Sequence, residues 1–186
     1  MQTSQHPFRS TQTCTALVLK RSNTRESERV VTLITLEHGK IICIAKGAQK
    51  LTSSKIAALE PGNVIKASLI RSHESWLLTQ AIISSDTSVL SGSLPKMRQL
   101  FQLLEFLQHL LVEEELPSEV FSLILALRNS VVNPTQTTTL FYQLFDELLV
   151  ELGYMPFDQN KYTSLTAYVS ELTEKKFKTW EFLRIP

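Results

Sequence analysis

Side chains that do chemistry must meet, and the reactive residues of this chain are spread thin. The four histidines, His6, His38, His73 and His109, lie far apart, and none sits in an H-E-x-x-H, Cys/His or G-x-S-x-G setting. The five glycines, at 39, 47, 62, 92 and 153, form neither a G-x-x-x-x-G-K-[ST] phosphate loop nor a G-x-G-x-x-G turn, which argues against nucleotide hydrolysis and dinucleotide binding. Cys14 and Cys43 occupy apolar runs with no second ligand at metal spacing, the pattern of buried thiols in a reducing compartment. Glu113-Glu114-Glu115, with Asp146, offers the carboxylate oxygens that a hard cation prefers. Consecutive residues at a helix end point in different directions, however, so this run reads as a solvated end and not as a nuclease centre. Trp76 and Trp180 read as core. No catalytic residue, metal or cofactor is expected.

The cations carry more information. Lys and Arg number 19 against 18 Asp and Glu, a net charge of +1, but residues 1–85 hold eleven cations to five acids and residues 86–186 hold eight to thirteen. The stretch GKIICIAKGAQKLTSSK, residues 39–55, leaves an apolar run for a lysine-dotted segment without a single acid. Like charges gathered on a small domain repel one another, and a polyanion relieves that repulsion. The candidates for phosphate contact are Lys20, Arg21, Arg25 and Arg29 around the first turn, Lys40 and Lys46 on the third apolar run, and Lys50 and Lys55 after it. Few aromatics interleave them, which favours capture of the phosphate backbone over base stacking and implies little sequence preference. Glu26, Glu28 and Glu60 are available to pair with some of these cations, and an ordinary solvated surface would look the same.

These residues need a frame, and the chain changes period halfway. Runs 13–20, 29–37, 40–47, 63–71 and 75–83 are short and rich in Val, Ile, Leu and Thr, separated by turn sequences such as His38-Gly39 and Pro61-Gly62. One short helix, using Leu51, Ile56, Ala57 and Leu59, fits between the third and fourth runs. Five strands with a helix after the third is the order of an OB-fold barrel, although other small barrels share it. From Pro95 onward the apolar spacing turns helical: Leu100, Leu104, Leu107 and Leu111, then Val120, Leu123, Ile124, Leu127 and Val131. A third helix is expected from Asn133 as N-cap, through Pro134, to Gly153, and a last pattern takes Leu165, Tyr168, Val169, Leu172, Phe177 and Trp180. The expected fold is therefore α+β: a polar tail at 1–12, a five-stranded OB-fold barrel at 13–87, and an all-α domain at 94–186. The first thirteen residues lack the apolar core of a signal peptide, and no apolar run reaches the roughly 20 residues of a membrane span, so a soluble cytoplasmic protein is expected.

Short motifs follow one another in a set order: Glu26-Ser27-Glu28-Arg29 after the first strand, Thr35 to Gly39 at a hairpin, Ala45-Lys46-Gly47-Ala48 with Lys50 and Lys55, and Leu59-Glu60-Pro61. That order is similar to the one in the RecO family of bacterial recombination mediators. Later stretches, LLEFLQHLLVEEE, LFDELLVELGYMP and KFKTWEFL, resemble the helical part of that family. The resemblance implies an OB-fold that binds single- and double-stranded DNA without enzymatic activity. It also implies strand annealing and, with RecR, help for RecA in replacing single-stranded-DNA-binding protein. DNA contact would fall to Arg25, Arg29, Lys46, Lys50 and Lys55, with Lys20, Arg21 and Lys40 as weaker contributors. Many members of the family carry a four-cysteine zinc insertion where this chain has only Asp158 to Tyr162, so no metal is implied. The alternative is an adaptor whose barrel and helices bind only proteins, with the basic segment meeting an acidic tail.

Overall fold

The computed structural model describes residues 10–23, 28–46, 55–72, 75–112, 115–133, 135–158 and 160–176, with Lys55 described by its backbone alone. Five strands come first: β1 (Thr11–Asn23), β2 (Arg29–Thr35), β3 (Gly39–Ala45), β4 (Val64–Ser72) and β5 (Ser75–Ser85). A four-residue helix α1 (Lys55–Ala58) stands between β3 and β4. The strands close in the order β1-β2-β3-β5-β4, with β3 and β5 parallel and every other pair antiparallel. This is the OB-fold, as the order of apolar runs implied.

The hairpin between β2 and β3 is set by local chemistry. Gly39 takes φ 60°, while the Thr35 hydroxyl accepts from the His38 N–H at 2.9 Å and donates to the Gly39 carbonyl at 3.1 Å. That locked turn fixes the register Thr35↔Gly39 and hence which β3 side chains face outward.

β1 explains how the two halves join. Its residues Cys14, Ala16 and Val18 enter the barrel interior with Val31, Leu33, Ile41, Cys43, Ile65, Leu69 and Leu78. Leu17 and Leu19 point the other way, yet they too are buried, because with Ile34 and Val64 they pack beneath the helices. Both faces of β1 are therefore apolar, and the strand reads as a continuous run without alternation. The two cysteines lie in the interior, where burial pushes both thiols up to about 12 and holds them protonated.

The helices follow: α2 (Leu94–Leu110), α3 (Ser118–Val132), α4 (Thr138–Glu151) and α5 (Leu165–Thr173). Leu103, Leu107, Ile124, Leu127, Phe145 and Leu148 form the centre of their packing, each fully buried side chain contributing roughly 1.5–3 kcal/mol. One expected start is displaced. Asn133 ends α3, its backbone N–H donating to Asn129, and its side chain accepts from Thr135, so α4 begins only after Thr137, whose hydroxyl accepts from the Leu140 N–H. An Asn side chain stabilises a turn as readily as a helix start, and here the turn wins. The last helix stops at Glu174, which adopts φ 54°; Leu51, Pro134, Phe177 and Trp180 lie outside the described residues.

Two buried cations bolt the barrel to the helices. Arg128 of α3, 1% exposed, donates to the carbonyls of Gly62 at 2.9 Å, Ser85 at 3.3 Å and Asp86 at 2.6 Å, and to the Ser85 hydroxyl at 2.8 Å. Burial draws its pKa below the usual guanidinium value, and the Asp86 carboxylate opposes that shift. Lys40 of β3, 7% exposed, donates to the Gln108 carbonyl at 3.0 Å and to that of Leu111, at the C-terminus of α2, where the helix dipole favours a positive charge.

Candidate nucleic-acid interface

The outward positions of β3 alternate along one line: Lys40, Ile42, Ile44 and, just past the strand, Lys46. At about 3.3 Å per residue this line extends roughly 20 Å. Its first member is covered by α2, but Ile42 is 45% exposed and Lys46 68% exposed, so the helices, seated on β1, leave the rest of this face to solvent.

A groove of about 780 Å³ runs along that face. Val30, Ile42 and Ile44 form its floor, the facing ends of β4 and β5 supply Arg71, Ser75 and Trp76, and Glu115 stands at its border. The Trp76 indole, 8% exposed, belongs to the barrel core and serves as a base for others. The His38 ring leans on it at 4.6 Å between centroids, and the exposed Arg71 guanidinium lies over it at 4.9 Å. A cation over an aromatic face is attracted by the ring quadrupole.

The sequence-derived candidates separate into groups. Lys46 is exposed, with its ammonium 3.9 Å from the Glu28 carboxylate, the outer limit of an ion pair. Arg29 begins β2 opposite Ala45, next to Lys46; its Nε and Nη1 are buried and have no hydrogen-bond partner among the described residues. Lys20 is exposed on β1, whereas Arg21 is engaged by Glu60 at 2.6 Å. Both of these border a separate cavity of about 390 Å³ beside Phe101 and Leu104, not the β3 groove. Arg25 and Lys50 lie outside the described residues, as does the side chain of Lys55.

Lys40 stands apart from the other candidates. Its parity puts it on the outward face, but that face is roofed by α2 at this position, and the ammonium donates to helix carbonyls. Lys40→Met, which keeps the stem and removes the donor, is expected to lower stability by about 1–2 kcal/mol and leave DNA affinity unchanged. Denaturant titration beside an oligonucleotide binding curve checks both, and reduced affinity at unchanged stability would return Lys40 to the interface.

Arg71 escaped the sequence reading because it is the last residue of the fourth run, 63–71, apart from the cations around the first turn and after the third run. The available signal was its distance from Trp76, which suits a cross-strand pair at the mouth of a hairpin. Of the proposed nuclease carboxylates, Asp146 accepts from the Phe157 N–H at 2.8 Å, while Glu113 and Glu114 lie outside the described residues. Among the described residues no three His, Cys, Asp or Glu gather as a metal would require, and no helix is long and apolar enough to cross a membrane.

Comparison with known proteins bears on the same barrel. Residues 10–85 match the family described as recombination protein O N terminal. The DNA repair protein RecO of Heliobacterium modesticaldum is 30% identical over 142 residues, covering 76% of this chain and 51% of that protein. Its counterpart in Geobacter sulfurreducens is 48% identical over 56 residues, 30% of this chain and 21% of the relative. The one in Myxococcus xanthus is 40% identical over 60 residues, 32% and 25% respectively. The matched part of the chain thus spans about half of the first relative's length and about a quarter or less of the other two. With its barrel closed in the OB order over the matched residues, the chain belongs to the RecO family of DNA repair proteins.

Proposed function

We propose that this chain is a DNA-binding recombination mediator that works without covalent chemistry of its own. The barrel holds single- and double-stranded DNA and brings complementary strands together, while the helices meet protein partners. On this reading it acts with RecR and helps RecA load onto single strands covered by single-stranded-DNA-binding protein.

The observation that carries the proposal is the uncovered face over β2 and β3. Strands 2 and 3 together with the loop between strands 4 and 5 make the usual ligand surface of an OB-fold. In this chain the part of that surface beyond Lys40 stays clear of the helices, with Lys46 and Arg71 beside an apolar floor. Lys46 meets the Glu28 carboxylate at 3.9 Å, the outer limit of an ion pair, and its exposed ammonium is open to a phosphate.

The adaptor reading draws on a different surface, a groove of about 420 Å³ lined by Leu123, Val150, Asp146, Glu147 and Glu151, whose acids suit a basic protein segment. Salt separates the two. Three phosphate contacts on a single strand predict a log–log slope of about −2, hence roughly 20-fold weaker binding between 50 and 200 mM salt. Fluorescence anisotropy of a labelled oligonucleotide measures this slope. Absence of affinity at low salt, or a flat response, would leave the adaptor standing.

A further inference from the structure

Where the outer side of β1 meets α2, a cavity of about 390 Å³ opens in the seam between barrel and helices, with Leu19, Pro61, Phe101 and Leu104 as an apolar floor. Ligand pockets run to roughly 300–1,000 Å³, whereas packed interiors leave few voids larger than a water. An apolar recess of this size at a structural seam calls for an occupant. Its wall indicates the kind. Gln108 lines the cavity, and the Gln108 Oε1 is buried with no hydrogen-bond partner among the described residues. A buried acceptor in that state costs free energy until an N–H or O–H reaches it. The rim carries both signs, Lys20 and Arg21 on β1 and Glu105 on α2, so it suits neither a bare anion nor a bare cation. The fitting occupant is an aromatic body with one donor at its edge, which is the make-up of an indole.

The chain supplies one close by. Lys176, the last described residue, stands at the border of the cavity, and the sequence continues FKTWEFLRIP, residues 177–186. Phe177, Trp180 and Leu183 recur every third residue, a spacing that sets apolar side chains on one side of a helical turn. Even on a fully extended path Trp180 lies within about 14 Å of Lys176. Lys178 and Glu181, on either side of Trp180 in the sequence, match the two signs of the rim.

We propose that residues 177–183 dock in this cavity, with the Trp180 indole on the apolar floor and its N–H donated to the Gln108 Oε1. An attached segment meets its site at an effective concentration in roughly the millimolar range, which a separate partner rarely reaches. Arg128 and Lys40 tie the barrel to the helices through buried cations. The docked segment is a third tie, made of apolar contact, and it stands or falls independently of DNA binding.

The test uses the full chain, whose two tryptophans are Trp76, buried in the barrel, and Trp180. Acrylamide quenching of wild-type fluorescence, compared with that of Trp180→Phe, isolates the Trp180 signal. Docking makes Trp180 no more accessible than Trp76, at any protein concentration. Phe101→Glu places a charge on the floor at a half-buried position; it should release Trp180 to acrylamide and speed tryptic cleavage after Lys178 about 10-fold, with the circular dichroism unchanged. Should that variant unfold, Gln108→Leu decides in its place: it keeps the size, removes the acceptor, and should speed the same cleavage roughly 5-fold. A wild-type Trp180 as open to acrylamide as free tryptophan overturns the proposal without any variant. Shielding that neither substitution relieves means that the segment packs elsewhere and overturns it too. Shielding that fades on dilution, together with a dimer in sedimentation, gives the segment to a second copy and overturns it as well.

Discussion

Arg128→Met is expected to lower the free energy of unfolding by roughly 3–4 kcal/mol. The buried Gly62 carbonyl and the part-buried carbonyls of Ser85 and Asp86 would each lose a charged donor, at about 1–3 kcal/mol for the buried one and less where water can take the donor's place. Part of this loss is recovered because the apolar replacement no longer buries a cation. Methionine fills most of the vacated volume, so the effect reads the hydrogen bonds and not a cavity. Arg128→Lys should rescue little, because Nε, Nη1 and Nη2 serve different acceptors and one ammonium cannot span them. With total stabilities commonly near 5–15 kcal/mol, the variant would stand close to the threshold of folding. Urea unfolding followed by circular dichroism measures the change, and a loss under 1 kcal/mol would mean that the barrel and helices are joined by apolar packing alone.

Gly62→Ala should cost nearly as much, roughly 2–4 kcal/mol, through backbone strain and overpacking together. The residue adopts φ +88°, and a Cβ built there would stand 2.7 Å from Leu100 Cδ2 and 3.0 Å from Thr87 Cγ2. Leu100 is 1% exposed and has nowhere to swing. The same backbone unit donates to the Val18 carbonyl at 2.8 Å and accepts from Arg128, so any shift that makes room loosens the junction on both sides. Gly92→Ala provides the control: nothing lies within 4 Å of the added carbon, and its effect should stay within about 0.5 kcal/mol. Comparable unfolding midpoints for the two alanine variants would contradict the account.

The OB order was legible because each strand carries its own local signature. β-branched runs bounded by turn residues give the strands, and the His38-Gly39 pair gives the hairpin. The helices were legible from spacing, apart from the start of α4, where Asn133 is equally suited to two local structures. What the sequence did not disclose is what covers a face. Lys40 and Lys46 share one parity on β3, so a strand pattern treats them alike; only the placement of α2 buries the first and leaves the second in water. Arg128 is a similar case. It lies beside Leu127, four residues after Ile124, on a helix whose apolar stripe was plain, and a lone charge at the edge of such a stripe reads as solvated until the carbonyls opposite it are known. Arg71 requires a tertiary fact too, since its meaning comes from an indole five positions later across a hairpin.

The family match ends at residue 85, but the folding unit does not. β1 is apolar on both sides, and its outer side is closed by α2. A fragment cut at residue 85 would bring Leu17, Leu19, Ile34 and Val64 into contact with water, and would leave the Lys40 ammonium without the carbonyls that hold it. Such a fragment would be prone to self-association through that sticky strand, and a chimera that exchanged only the barrel between relatives would inherit a mismatched roof. The portable module is the barrel together with the helix that caps it.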